Sequence, residues 1–106
     1  MTSIRLAVPE TAIAGEIIEV KALIRHPMES GHRRGSRGEV IERDIITRFE
    51  CLYLGEQVFA ADFHPGIAAN PLLTFYVRAS RSGDLEFTWT DQHGASWSET
   101  SALTVS

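Results

Sequence analysis

The chain has 106 residues, 43% hydrophobic and 23% charged, with a formal net charge of −4. That size suits one domain over residues 1–106 with its own core, and the composition is that of a globular chain rather than a disordered or fibrous one. The acidic balance, with a pI near 5.5, gives no positive field for nucleic acid; no window reaches the roughly 20 apolar residues of a bilayer span; and the single cysteine, Cys51, excludes an internal disulfide and a Cys-rich zinc site.

Strand signals begin at once. "SIRLAV" alternates and then meets Pro9, which cannot donate to a ladder, so it reads as a short edge strand. "EIIEVKALIR" places Ile18, Val20, Ala22 and Ile24 on one face and Glu19, Lys21 and Arg25 on the other, which predicts a half-buried strand. From Pro27 to about Arg43 the pattern stops. "PMESGHRRGSRGEVIER" sets Gly31, Gly35 and Gly38 among Arg33, Arg34 and Arg37. Loops of that length are uncommon in compact domains and are either functional or mobile. Two readings stay open there, a solvated hairpin tip and a docking surface.

"DIITRFECLYL" has Phe49, Cys51 and Tyr53 on one face and Glu50, Leu52 and Leu54 on the other, which predicts a strand covered on both sides. "GE" then makes a tight connection to "QVFAAD". The stretch "FHPGIAANP" interrupts the alternation, and its prolines predict a rigid, extended backbone. "LLTFYVRAS" points Leu73, Phe75, Val77 and Ala79 one way. "DLEFTWTD" directs Leu85, Phe87 and Trp89 inward, and "DQHG" turns the chain into the last strand, "ASWSETSALTV". About seven strands with Gly and Pro turns, and no helical period, predict an all-β, immunoglobulin-like antiparallel β-sandwich. The Cys pair of antibody domains is missing, so the expectation concerns architecture alone.

No catalytic constellation stands out. A blue-copper site needs two His and a Cys with an axial Met, yet no histidine follows Cys51 until His64, and Met28 precedes it. Cys51 lies mid-strand on the face of Phe49 and Tyr53, which suits a buried, inert thiol rather than a nucleophile. His26, His32, His64 and His93 are spread through turns without ligand spacing. Asp62, Asp84 and Asp91 sit at strand ends, where carboxylates cap turns, and no Gly-x-Ser-x-Gly elbow is present. Neither catalysis nor a cofactor is expected. A free-standing adhesion or ligand-binding module remains a rival, since sandwiches serve many tasks.

"HPMESG" at 26–31, "FECLYLGEQVFAADFHPGIAANP" at 49–71 and "SGDLEFTWTDQHG" at 82–94 resemble the SoxZ family over nearly the whole chain. The resemblance implies a non-catalytic subunit of a SoxYZ-type sulfur carrier in bacterial thiosulfate oxidation. In that family the sulfur intermediates ride on a Gly-Gly-Cys-Gly-Gly arm at the end of the partner subunit, SoxY. A chain ending "SALTVS" is not expected to be that carrier, and the role does not transfer to Cys51. The resemblance also implies a periplasmic heterodimer exported on the partner's signal, in keeping with "MTSIRLAVPE", which lacks an apolar leader stretch. It further implies transient contact with other sulfur-oxidising enzymes, and an apolar edge that self-associates in isolation. On this reading His26, Met28, His64 and Asn70 help form a surface near the partner. Arg33, Arg34 and Arg37 would attract anionic sulfur species or acidic partner faces.

Overall fold

Where apolar residues recur at every second position, the chain extends. In the computed structural model, which describes residues 3–106, the strands are β1 (Ile4–Ala7), β2 (Thr11–Ala12), β3 (Ile17–Ile24), β4 (Ile46–Tyr53), β5 (Glu56–Asp62), β6 (Leu72–Arg78), β7 (Gly83–Asp91) and β8 (Ser96–Val105). No helix occurs among the described residues. They form a three-stranded sheet, β1-β3-β6, and a five-stranded sheet, β2-β8-β7-β4-β5. Every pairing is antiparallel except the short parallel pairing of β2 with β8.

The two sheets bury one another's inner faces. Ile18, Val20, Ala22 and Ile24 of β3 meet Leu85, Phe87 and Trp89 of β7 and Phe49, Cys51 and Tyr53 of β4 in one core. Phe49 is its hub, 4.9 Å from Trp89 and 5.9 Å from Phe75 between ring centroids. Phe59 of β5 stacks on Phe75 of β6 at 4.3 Å and so closes the seam between the two sheets on that side. Aromatic pairs at such distances add about 1 kcal/mol each to the area they bury.

The structure departs from the expected strands in two places. An eighth strand, β2, arises because Pro9 ends pairing with β3 and releases the chain to cross to the other sheet, where Thr11 pairs with Thr104. β4 is covered on one side only: Arg48 is exposed and Glu50 and Leu52 are half-buried, shaded by neighbouring strands rather than by a third layer. The hairpin between β4 and β5 turns on Leu54 and Gly55, one residue earlier than "GE" suggests, with φ of 55° and 80°. Positive φ at both central residues is the type I′ geometry that matches strand twist. Leu54 pays a steric cost there, and its side chain lies over Gly83, where a Cβ would collide with it.

The segment between β3 and β4 forms an irregular arm. Bridges join Glu29 to Asp44 and Arg34 to Val40, and Gly35 N–H donates to Glu39 C=O at 2.8 Å. With this arm the molecule is 58 Å long and 21 by 20 Å across, and its radius of gyration of 16.1 Å exceeds the roughly 13 Å of a compact domain of this length.

Candidate functional site

The two histidine-proline and asparagine-proline breaks meet at one end of the sandwich. His26, just beyond β3, donates its backbone N–H to Asn70 Oδ1 at 2.9 Å, and its carbonyl accepts the Asn70 N–H at 2.8 Å. Asn70 therefore imitates a strand partner with its own side chain. It does so at φ 53°, a left-handed conformation that asparagine tolerates better than most residues. His26 Nδ1 accepts the N–H of Met28 at 3.0 Å. Met28, also left-handed at φ 51°, turns its thioether inward, where Sδ accepts the Ile46 N–H at 3.3 Å. Three of the residues singled out by sequence thus form one knot that ties β3, β4 and the loop before β6.

His26 and Met28 are each 6% exposed. The polar backbone at this chain crossing needs buried acceptors, and these two side chains supply them from beneath the surface. Asn70 and His64 are exposed. His64 opens a turn in which its carbonyl accepts the Ile67 N–H at 3.2 Å, with Pro65 second and Gly66, at φ 109°, third. That is type II chemistry. "FHPGIAANP" is consequently a pair of turns and not the extended rod expected, because Gly66 and Asn70 both leave the extended region.

Beside the knot lies a cluster that sequence spacing does not reveal. Asp44 Oδ1 is 3.8 Å from His26 Nε2 and 3.7 Å from His93 Nε2, and the His26 ring meets Trp97 edge-on at 6.2 Å. The members come from three separate chain segments, the end of β3, the approach to β4 and the β7–β8 hairpin, so only the fold unites them. Because Nδ1 of His26 is an acceptor, its proton sits on Nε2, facing Asp44. An imidazole held this way is a donor, not a metal ligand. Among the described residues no group of three or more His, Cys, Asp or Glu is placed to hold a metal ion. Asp91 is occupied in its own turn, its Oδ1 accepting the N–H groups of His93 and Ala95 at 2.9 Å each.

The arm's arginines are partly neutralised. Residues 29–44 hold Arg33, Arg34, Arg37 and Arg43 against Glu29, Glu39, Glu42 and Asp44, four charges of each sign. Arg33 grips both oxygens of Glu29, which lowers the Glu29 carboxyl below its ordinary range and raises the Arg33 guanidinium. Arg34 Nη1 donates to Gly38 C=O at 2.9 Å. The loop is thus a hairpin with charges of both signs, in which Arg33 and Arg34 are bonded within the hairpin itself.

Cys51 is fully buried, and desolvation pushes its thiol up to about 12. A thiol so held is not a nucleophile at neutral pH.

Fold and site together describe a small immunoglobulin-like β-sandwich whose polar residues brace loops. A family model described as sulphur oxidation protein SoxZ matches residues 4–102. The chain belongs to the SoxZ family. Among curated proteins no relative matches. Solved structures share the fold at low identity. The superoxide reductase (neelaredoxin) from Ignicoccus hospitalis is 18% identical with a TM-score of 0.71, over 98% of this chain and 80% of that one. A mutant superoxide reductase from Archaeoglobus fulgidus, in the reduced form, is 17% identical with a TM-score of 0.58, over 93% and 88%. The CARDB domain of a Pyrococcus furiosus protein in complex with di-metal ions is 9% identical with a TM-score of 0.59, over 100% and 94%. At these identities the likeness is one of architecture.

Proposed function

We propose that this sulfur oxidation protein is the non-catalytic scaffold of a SoxYZ-type carrier complex. Its partner is a SoxY-like subunit whose cysteine arm carries the sulfur intermediates, and the complex works in the periplasm. The match to the SoxZ family over residues 4–102 carries this reading. The inert state of Cys51 supports it, since a sulfur carrier needs an exposed, ionisable thiol and this one is sealed between sheets. The loop knot at His26 supports it too, by holding the end of the sandwich rigid, and a rigid surface loses less freedom on binding.

The test is reconstitution. Purified chain and a SoxY-like partner ending in Gly-Gly-Cys-Gly-Gly should co-elute as a heterodimer, and thiosulfate-dependent turnover by the remaining sulfur-oxidising enzymes should require both. Replacing Cys51 by alanine should leave turnover intact. Turnover that needs the Cys51 thiol, or that proceeds equally well without this chain, would overturn the proposal.

A further inference from the structure

The strand edges of the sandwich are not equally protected. β6 pairs with β3 alone, in continuous register from Leu72 to Arg78. At its two ends Ala79 N–H donates to Glu16 C=O and Ile24 N–H to Pro71 C=O. Antiparallel strands alternate the direction of their main-chain groups, so odd-numbered residues face β3 and the N–H and C=O of Leu72, Thr74, Tyr76 and Arg78 face outward. None of these groups finds a main-chain partner among the described residues. Of the usual devices that keep an edge unpaired, β6 carries neither a bulge nor an internal proline, and its one charged side chain, Arg78, sits at its end.

Apolar surface gathers at the same edge. Of the seven exposed large hydrophobic residues among the described ones, Leu72 (56%) and Tyr76 (62%) lie on β6, Ile17 flanks it on β3, and Val58 and Ile67 line the seam towards β5 and the preceding loop. A hollow of about 350 Å³ lies at the Leu72 end, walled by Phe63, Ile67 and Ala69. Another of about 320 Å³ lies at the Arg78 end, walled by Val58, Glu56 and Arg81. Neither Arg78 nor Arg81 is in an ion pair among the described residues. Arg78 Nη1 donates to Gly15 C=O at 2.9 Å, and with Glu56 as the acidic residue among the lining of this hollow the two arginines leave it net positive.

The other edges differ. β1 is four residues long. The pairing of β5 is bulged beside Cys51, and that strand ends in Glu56 and Asp62. β8 turns Ser96, Ser98, Thr100 and Ala102 outward by the same alternation, without a large apolar group among them. β5 also borders both hollows and exposes Val58, but its pairing is bulged; among the described edges β6 alone joins a regular unpaired backbone to two exposed large apolar side chains.

We propose that the SoxY-like partner docks along β6, adding an extended segment of its own to the β1-β3-β6 sheet. Apolar side chains of that segment lie against Leu72 and Tyr76, and a carboxylate at its end meets Arg78 and Arg81. Main-chain pairing supplies affinity in such strand addition, while the side-chain contacts select the partner. The inference rests on the carrier-subunit reading.

The test measures affinity for the purified SoxY-like partner by calorimetry, with circular dichroism confirming folded chains. Leu72→Lys combined with Tyr76→Lys should weaken binding by roughly 30-fold or more, the scale of a lost hot spot. Arg78→Glu combined with Arg81→Glu should weaken it less, and the loss should shrink at high salt. Ser98→Lys with Thr100→Lys on β8 should bind as the parent does. Undiminished binding by both β6 variants overturns the docking edge while leaving the carrier reading in place. Loss on the β8 variant instead overturns it as well. So does a β6 variant that loses only self-association, which would assign the edge to a second copy. A parent chain that binds no such partner defeats the carrier reading itself.

Discussion

The loop knot at His26 and the arginine arm are neighbours in sequence, and both look like sites when read as residue types. They are built on opposite physics. In the knot, backbone groups are cut off from water and must find partners, so His26, Asn70 and Met28 Sδ are each committed to a named hydrogen bond. In the arm, Arg33 and Glu29 pair on the surface, where water competes for both charges and the pairing is worth little. Conspicuous side chains in a buried crossing are structural obligations. Conspicuous charges on an exposed hairpin cancel one another.

Perturbation should separate the two regions sharply, and the strongest effect belongs to the most buried group. Cys51 has its thiol raised from 9.0 to about 12 by desolvation. A raised folded-state value means the folded chain holds the proton more tightly than the unfolded chain does. The associated stability is therefore complete below pH 9 and is lost as pH climbs towards 12. The full difference is on the order of 4 kcal/mol. Urea midpoints of the parent should fall relative to those of Cys51→Ala across that window, and thiol reagents should modify the parent only after unfolding. Parallel midpoints, or ready labelling of the native chain, would contradict the burial.

His26→Ala comes next, at about 3 kcal/mol, since it removes packing against Trp97 and orphans the Met28 N–H. Asn70→Ala should cost about 2 kcal/mol, from one lost, partly buried acceptor and one strained backbone. Asn70→Gly should recover the strain but not the acceptor, and Asn70→Asp the acceptor. If all three Asn70 variants melt alike, the side-chain bond to His26 is not what holds the loop. At the small end, Glu29→Gln should leave the melting temperature within experimental scatter. A clear loss there would show that the arm is a structural element and erase the contrast.

How much of this is legible in sequence follows the range of each interaction. Alternation is local, so "EIIEVKALIR" and "DLEFTWTD" announce their strands and inward faces directly, as buried Val20 and Trp89 confirm. β2 escapes notice because two residues have no period. The pair His-Pro and Asn-Pro marks where the chain bends. It cannot show that Asn70 reaches back 44 positions to His26. The Asp44, His93 and Trp97 cluster is beyond sequence for the same reason. The one-sided burial of β4 is misjudged because half-burial by neighbouring strands favours the same apolar residues as a covering layer does.

The crossing at Pro9 has a further consequence. One short run of chain guards the rim of both layers, lying beside β3 on one and beside the end of β8 on the other. Fraying of that run would unmask two template strands in a single event, so the earliest step of partial opening is also the step most exposed to runaway intermolecular stacking.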